Sequence, residues 1–184
     1  MDKPDGPKYL PGDRQPEAEI AAMVRVDHAG EYGAARIYAG QLAVLGNRPV
    51  AKTIRHMADQ EQRHLERFET LVAERRVRPT VLSPLWHAAG WLLGAGTALL
   101  GERAAMACTV AVEEVIDEHY AEQAERLGER DPELKSVVEE FRQDELVHRD
   151  TALAHGAEQT AGYPVLAGAI KAGTRLAIRL SQRW

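Results

Sequence analysis

Two Glu-x-x-His motifs are the residues of this sequence best suited to chemistry. They are Glu61-Gln-Arg-His64 and Glu145-Leu-Val-His148, and each follows a single glutamate at a similar distance, Glu31 in the first case and Glu113 in the second. Residues three positions apart lie on the same face of a helix. Each motif can therefore offer one carboxylate and one imidazole to the same metal ion.

Four helices are needed to bring these residues together. If all four segments are helical, two antiparallel pairs each deliver one glutamate and one Glu-x-x-His into a common core. This is the ligand arrangement of ferritin-like di-iron or di-manganese carboxylate bundles. Four carboxylates also balance two divalent cations, which favours a buried site. Glu114 directly follows Glu113 and points about 100° away on a helix, so spacing alone does not decide which of the two is the ligand.

Length and composition favour one helical domain. A chain of 184 residues can bury a sizeable core, and 45% hydrophobic with only 5% aromatic residues is typical of closely packed helices. The single cysteine, Cys108, excludes an intramolecular disulfide and predicts a reducing compartment, where it serves as a small core residue. A net charge of −5 argues against a nucleic-acid partner.

The predicted fold class is all-α, a ferritin-like four-helix bundle with two additional membrane-associating helices. Residues 1–16, rich in proline, are predicted to be a flexible tail, and residues 17–184 a single domain. The tail has no apolar signal region and contains acids, so either the chain is bacterial and faces the cytosol or a targeting segment has been removed. Pro16 starts the first helix, and Asp131 caps the fourth with Pro132 as its first residue. The bundle helices are predicted at about 17–45, 49–77, 102–128 and 132–158.

The segment 79–101 contains no Asp, Glu, Lys or Arg. It is long and apolar, but four glycines weaken a transmembrane interpretation. One interpretation is a buried crossover between the second and third bundle helices. The other, which we favour, is an apolar helix that lies in a membrane interface.

The segment 163–184 has a basic amphipathic pattern and no acidic residue. Its cations recur every four residues, and its apolar side chains group on the opposite side. This pattern is typical of a helix on an anionic membrane surface, although a helix docked on the bundle would look similar. The cations are Lys171, Arg175, Arg179 and Arg183.

Several runs of the sequence resemble the demethoxyubiquinone hydroxylase family. They are Arg25-Val-Asp-His-Ala-Gly-Glu31-Tyr, Arg36-Ile-Tyr-Ala-Gly-Gln41, Thr109-Val-Ala-Val-Glu113-Glu, His119-Tyr120 and Phe141-Arg-Gln-Asp-Glu145-Leu-Val-His148. The resemblance covers about residues 20–184 and selects Glu113 over Glu114. The metal ligands that it implies are Glu31, Glu61, His64, Glu113, Glu145 and His148.

The resemblance implies a di-iron monooxygenase of ubiquinone biosynthesis that uses O₂ to hydroxylate the ring of a demethoxylated polyprenyl quinone or quinol. It implies NADH as the electron source, although the chain has no Gly-x-Gly-x-x-Gly fingerprint. It also implies a peripheral position on the cytoplasmic face of a bacterial inner membrane, or on the matrix face of the mitochondrial inner membrane. A lipid-binding protein of the same pathway is a further expected partner.

Three residues are candidates for hydrogen bonds that orient the metal ligands without binding the metal themselves. A ligating histidine usually donates its other N–H to a carboxylate, which makes Asp144 the leading candidate; Asp27 and Tyr120 are weaker ones. The histidines without a glutamate three residues earlier are predicted not to be ligands: His28, His56, His87, His119 and His155.

Two other functions would use the same helices. A ferritin-like iron-oxidising or storage protein has the same ligands, but it has no use for an apolar crossover or a basic tail. A non-catalytic membrane adaptor would use the apolar segments, but it would bind no metal. Iron loading and metal analysis distinguish these possibilities.

Overall fold

The computed structural model describes residues 16–184, and these form six α-helices with no β-strand. The all-α, ferritin-like class predicted from the sequence is confirmed. All but the last residue of the predicted flexible tail lie outside the described residues. The helices are α1 Pro16–Leu45, α2 Ala51–Glu74, α3 Ser83–Leu99, α4 Glu102–Leu127, α5 Pro132–Ala154 and α6 Tyr163–Ser181, with a short 3₁₀ turn at Ala157–Gln159.

The chain is arranged as two successive three-helix units. In the first, α1 pairs with α2 and α3 packs on α1; in the second, α4 pairs with α5 and α6 packs on α4. Helices α1, α2, α4 and α5 form the bundle. The uncharged segment thus forms a helix of its own, α3, and the basic segment forms α6, at corresponding places in the two units.

Two bounds of α2 differ from the prediction of 49–77. The helix begins at Ala51 because Pro49 lies in the turn that precedes it. It ends at Glu74 because Arg76 adopts a left-handed conformation with φ of 53°. The N–H of Val77 then bonds the carbonyl of Val72 at 3.0 Å, which is the hydrogen bond of a Schellman motif.

The start of α5 is as predicted, and its end is earlier. The Asp131 side chain accepts a hydrogen bond from the Leu134 N–H at 3.0 Å, and Pro132 is the first helical residue. The helix ends at Ala154, before the predicted residue 158, because Gly156 is left-handed with φ of 81°.

Apolar clusters close both ends of the bundle and leave a polar layer at its middle. One cluster joins the start of α1 and the end of α2 to the end of α4 and the start of α5, and includes Phe68 and Phe141. The other joins the opposite helix ends and includes Ile54 and Met106. Cys108 is fully buried, as predicted, and burial raises the pKa of its thiol to about 12.

Helix α3 contacts α1 backbone to backbone, through glycines. A Cβ atom added to Gly94 would lie 1.9 Å from the carbonyl oxygen of Ile37, and one added to Gly40 would lie 2.2 Å from that of Trp91. The glycines that weaken α3 as an isolated helix are therefore what allows it to pack. Within residues 16–184, no helix has the length and apolar character needed to cross a membrane.

Candidate metal centre

Four glutamates and two histidines from four helices meet in the polar layer of the bundle. Helices α1 and α4 each contribute one glutamate, and α2 and α5 each contribute a Glu-x-x-His pair one helical turn apart. All of these side chains are buried, none being more than 3% exposed: Glu31, Glu61, His64, Glu113, Glu145 and His148.

The six residues form two overlapping groups. Within each group, one potential ligand atom per residue lies within 4.8 Å of the others. Position 1 consists of Glu31, Glu61, His64 and Glu145. Position 2 consists of Glu61, Glu113, Glu145 and His148. Two glutamates belong to both positions, which suits carboxylates that bridge two cations.

Both histidines turn Nδ1 towards the carboxylates. Nδ1 of His64 lies 3.3 Å from an oxygen of Glu145 and 3.6 Å from one of Glu31. Nδ1 of His148 lies 3.0 Å from an oxygen of Glu61 and 3.2 Å from one of Glu145. Once it has lost its proton, Nδ1 of each histidine can therefore bind a metal ion at its position, while Nε2 points away from it.

The outward Nε2 atoms meet different partners. Nε2 of His64 lies 3.0 Å from a carboxylate oxygen of Asp144, the residue predicted for this contact. Nε2 of His148 lies 3.3 Å from the amide oxygen of Gln60. Gln60 was not predicted from the sequence, although it precedes Glu61 just as Asp144 precedes Glu145.

A tyrosine supports each single glutamate from the opposite helix. Tyr120 on α4 donates its hydroxyl hydrogen bond to Glu31 on α1. Tyr38 on α1 donates to Glu113 on α4 at 2.9 Å. Tyr120 was a candidate from the sequence, whereas Tyr38 was not predicted. Each tyrosine lies two helical turns after the glutamate of its own helix, and this repeated spacing is the signal that could have identified both.

The hydrogen bonds and the ion pair of Asp27 are with residues other than the six. Its carboxylate accepts a hydrogen bond from Nε2 of Gln123 at 2.7 Å and lies 3.1 Å from Nε2 of His119. Burial raises the pKa of Asp27, and the contacts with His119 and Gln123 oppose that rise. Asp27 therefore belongs to a polar network next to the centre.

Burial dominates the electrostatics of the glutamates. It raises the pKa of Glu31. Burial and the charge of Glu145 hold the pKa of Glu61 and of Glu113 well above the ordinary range. Glu145 differs: burial acts to raise its pKa, but hydrogen bonds from His148 and His64 outweigh it and lower the value.

The histidines gain basicity from the same contacts. Burial alone would lower their pKa, but hydrogen bonds with Glu145 and Glu31 raise that of His64 to about 11. Hydrogen bonds with Glu145 and Glu61 raise that of His148 to about 10. Without metal, the site therefore holds protons at neutral pH that a cation must displace.

The residues fit a pair of divalent transition-metal ions. In the described structure, Oε1 of Glu61 and Nδ1 of His64 are buried, and their contacts with the neighbouring imidazole and carboxylate groups lack the geometry of strong hydrogen bonds. Carboxylate oxygens with one imidazole nitrogen per ion suit first-row divalent metals. Buried carboxylates are otherwise costly, and cations would remove that cost.

Glu114 and the histidines that were predicted not to be ligands do not belong to the six-residue group. Glu114 forms an ion pair with Lys171 of α6. His87 bonds the hydroxyl of Tyr32 at 2.6 Å, and His155 contacts Thr53 at 3.4 Å. Within the described residues, no histidine besides the two predicted ligands belongs to a possible metal-binding group.

Two cavities meet beside the centre. A small one of ≈ 20 Å³, enough for about one water molecule, is lined by Glu31, Glu61, Glu113 and Glu145, among others. A large apolar one of ≈ 570 Å³ lies between α1, α3, α4 and α6. The walls that both share are Val26, Gly30, Ala34, Ile116 and Ile178. The carboxylates are thus separated from a large apolar space by one layer of mainly small or aliphatic side chains.

The four cations of α6 and the residues after it, which were predicted to form one basic stripe, fall into two pairs with different surroundings. Lys171 pairs with Glu114, and Arg175 bonds Glu118 at 2.7 Å, so both cations face α4. Arg179 and Arg183 are exposed, and none of the ion pairs between described residues includes them. The alternative of a helix docked on the bundle therefore explains Lys171 and Arg175. Only Arg179 and Arg183 are placed as the membrane interpretation requires.

Exposed apolar side chains extend over α3 and α6. Val81, Leu92, Leu99 and Leu100 are 65%, 62%, 75% and 73% exposed. On α6 and the residues after it, the exposed apolar side chains include Val165, Leu176 and Trp184. The two helices contact each other, since the indole N–H of Trp86 donates to Ser181 at 3.0 Å and the N–H of Val81 to the carbonyl of Trp184 at 3.0 Å.

Comparison with known proteins gives a consistent result. The family described as ubiquinone biosynthesis protein COQ7 matches residues 18–181. The 3-demethoxyubiquinol 3-hydroxylase of Rhodospirillum rubrum is 59% identical over 175 residues, which are 95% of this chain and 82% of that protein.

Eukaryotic proteins are also similar. The mitochondrial NADPH-dependent 3-demethoxyubiquinone 3-hydroxylase of Homo sapiens is 55% identical over 170 residues, covering 90% of this chain and 78% of that protein. The mitochondrial 5-demethoxyubiquinone hydroxylase of Saccharomyces cerevisiae is 43% identical over 183 residues, again covering 90% of this chain and 78% of the relative.

Proposed function

Because the chain belongs to the COQ7 family of ubiquinone biosynthesis proteins, we propose that it hydroxylates the ring of a demethoxylated polyprenyl quinone or quinol. The resemblance inferred from the sequence is confirmed, and the chain is a hydroxylase of ubiquinone biosynthesis. The observation that supports the proposed mechanism is a buried group of four glutamates and two histidines one layer of side chains away from a large apolar cavity.

The centre is proposed to hold two iron ions. Glu31 and His64 would bind the ion at position 1, Glu113 and His148 the ion at position 2, and the shared glutamates would bridge them. When bound in the ferrous state, such a pair supplies electrons to O₂ and makes it reactive towards the ring. The redox chemistry then belongs to the metal, and the protein supplies binding, orientation and exclusion of water.

The surrounding side chains fix the ligands in place. The Nε2–H groups of His64 and His148 donate outward, which keeps Nδ1 free of a proton once metal is bound. The hydroxyls of Tyr38 and Tyr120 hold the single glutamates in a water-poor core. Such pre-organisation reduces the reorganisation needed when substrate arrives.

The large apolar cavity is the proposed substrate site. Its volume of ≈ 570 Å³ is in the usual range for a ligand pocket, and its lining is almost entirely apolar. A quinone ring placed against Gly30 and Ala34 would lie next to the carboxylates. The polyprenyl tail would leave between α3 and α6.

A peripheral membrane position is proposed for the α3 and α6 side. A polyprenyl tail is nearly insoluble in water, so the enzyme benefits from meeting its substrate at a lipid surface. The exposed leucines of α3, with Trp184, would contact the apolar region. Arg179 and Arg183 would contact anionic headgroups. The membrane faces and the lipid-binding partner protein inferred from the sequence stay predictions.

The electron donor is proposed to be a reduced nicotinamide nucleotide. The resemblance implied NADH, whereas the names of the human and mouse relatives specify NADPH. The two nucleotides differ by one phosphate. Parallel turnover assays with each at equal concentration identify the donor that this chain uses.

The decisive experiment combines genetics with reconstitution. A quinone-making host that lacks its own enzyme should accumulate the demethoxylated quinone, and this chain should restore the mature quinone. The purified protein should contain two irons per chain and consume O₂ as hydroxylated product forms. Failure in both assays would reject the proposal, and thousands of irons per assembly would favour the storage alternative.

A further inference from the structure

The two halves of the metal centre are related by an approximate twofold repeat. Helix α1 corresponds to α4 and α2 to α5, and equivalent residues make equivalent contacts. The matched pairs are Glu31 and Glu113, Glu61 and Glu145, His64 and His148, Tyr38 and Tyr120, and Gln41 and Gln123. Any chemical difference between the positions must therefore come from places where the repeat fails.

The repeat is broken at the side chains that contact the outward Nε2 atoms of the two histidines. Position 1 has a carboxylate there, Asp144, at 3.0 Å from Nε2 of His64. Position 2 has a neutral amide, Gln60, at 3.3 Å from Nε2 of His148. The order of acid and amide is reversed in the two motifs, since Asp59 precedes Gln60 whereas Gln143 precedes Asp144.

A second difference between the two halves also places a carboxylate near position 1 and a neutral side chain near position 2. Asp27 lies one helical turn before Glu31 and accepts from Gln123 at 2.7 Å. At the equivalent place before Glu113, the neutral Thr109 faces Gln41 at 3.4 Å. Position 1 is therefore flanked by two carboxylates, and position 2 by an amide and a hydroxyl.

We propose that Gln60 and Asp144 are positioning residues that make the two metal positions unequal, so that the ion at position 1 is bound first and more tightly. A carboxylate behind a ligating histidine fixes the ring and increases the donor strength of its other nitrogen. An amide oxygen fixes the ring with less increase in donor strength. The inference rests on the proposed dinuclear centre and adds an order to its filling.

The order is tested with ⁵⁷Fe²⁺ under anaerobic conditions on the full chain. Two stepwise binding constants are measured, and Mössbauer spectra are recorded at one and at two equivalents. The isosteric variants are Asp144→Asn, which removes the carboxylate from position 1, and Gln60→Glu, which adds one to position 2. The matched controls, Asp150→Asn and Gln62→Glu, make the same charge changes on exposed faces of α5 and α2.

Asp144→Asn should weaken the first binding step by about 10- to 100-fold and alter the doublet of the first iron. Gln60→Glu should tighten the second step and alter the other doublet. The controls should leave both constants and both doublets unchanged.

The outcomes separate this inference from the function on which it rests. Fewer than two irons per wild-type chain would reject the dinuclear centre together with its order. Two irons, with constants and spectra that the variants leave unchanged or change alike at both positions, would overturn the unequal positions alone.

Discussion

The centre of the bundle and the apolar layer, which is formed by α3 and α6 where they pack on α1 and α4, are built in opposite ways. In the centre, buried polar side chains are matched pair by pair across two helix hairpins. In the layer, α3 meets α1 through bare backbone at Gly94, and an apolar cavity is left between helices. If the cavity is the substrate site proposed above, reactivity depends on which side chains are present, whereas substrate access depends on where side chains are missing.

Removing a shared glutamate should have the largest effect. Glu145→Ala takes a carboxylate from both metal positions and removes one of the partners that Nδ1 of each histidine has. We expect iron content and hydroxylation to be lost while far-UV circular dichroism retains most of the helix signal. Glu139→Ala, on the exposed face of the same helix, is the control. Iron and turnover at the wild-type level in Glu145→Ala would refute the ligand assignment.

Metal binding to the centre should release protons. The pKa of His64 is raised to about 11 and that of His148 to about 10 without metal, so both imidazoles are protonated at neutral pH and must become neutral to bind. Apparent affinity should therefore rise with pH below those values, by about tenfold per pH unit for each proton released. Calorimetry in buffers of different ionisation enthalpy counts the protons. Release of none at neutral pH would contradict the protonated state.

A methyl group at the α1–α3 contact should disturb only the apolar layer. Gly94→Ala places Cβ on the carbonyl of Ile37, so α3 must move. We expect a loss of about 3 kcal/mol in unfolding free energy, as in other overpacked sites, and weaker binding of long-tailed quinones. Gly96→Ala is the matched control, because no atom lies within 4 Å of its added Cβ. Chemical denaturation of both variants measures the difference, and equal stability would show that the contact can relax.

The divided stripe of α6 predicts the smallest effect. Replacing Arg179 and Arg183 by Gln should lower affinity for anionic vesicles by about 1 kcal/mol per charge at low salt, as measured by co-sedimentation. Replacing Lys171 and Arg175 by Gln changes the net charge equally, but those cations pair with α4. This control should affect vesicle binding less. Equal losses in both variants would mean that net charge alone governs binding.

The sequence predicted the centre better than the layer, for a physical reason. A helix repeats on a fixed period, so the spacing of Glu61 to His64 and of Glu145 to His148 already places each pair on one face. Asp131 and Pro132 likewise determine a helix start through local hydrogen bonding. The six-residue grouping could be drawn from such local rules together with the family resemblance.

Contacts between helices required the structure. The spacing of Tyr38 and of Gln60 relative to the motifs could have identified both residues, but their partners are on other helices, so the spacing does not show what they contact. The four cations of the α6 stripe appeared equivalent in the sequence, because periodicity shows which residues share a helix face but does not show which other helix packs against that face. The early end of α2 depends on a left-handed Arg76, a conformation that residue type alone does not predict.

The division of the chain into two three-helix units has a consequence for folding. The most extensive helix contacts lie within each unit, between helices that are adjacent or one helix apart in the sequence, and such comparatively local contacts form quickly. Each unit carries three of the six proposed ligand residues. Cleavage of the backbone at the exposed α3–α4 connection, near Leu100, would therefore separate two fragments that each lack half of the centre. We expect iron binding only after the fragments are mixed, which would make metal uptake a direct reporter of their docking.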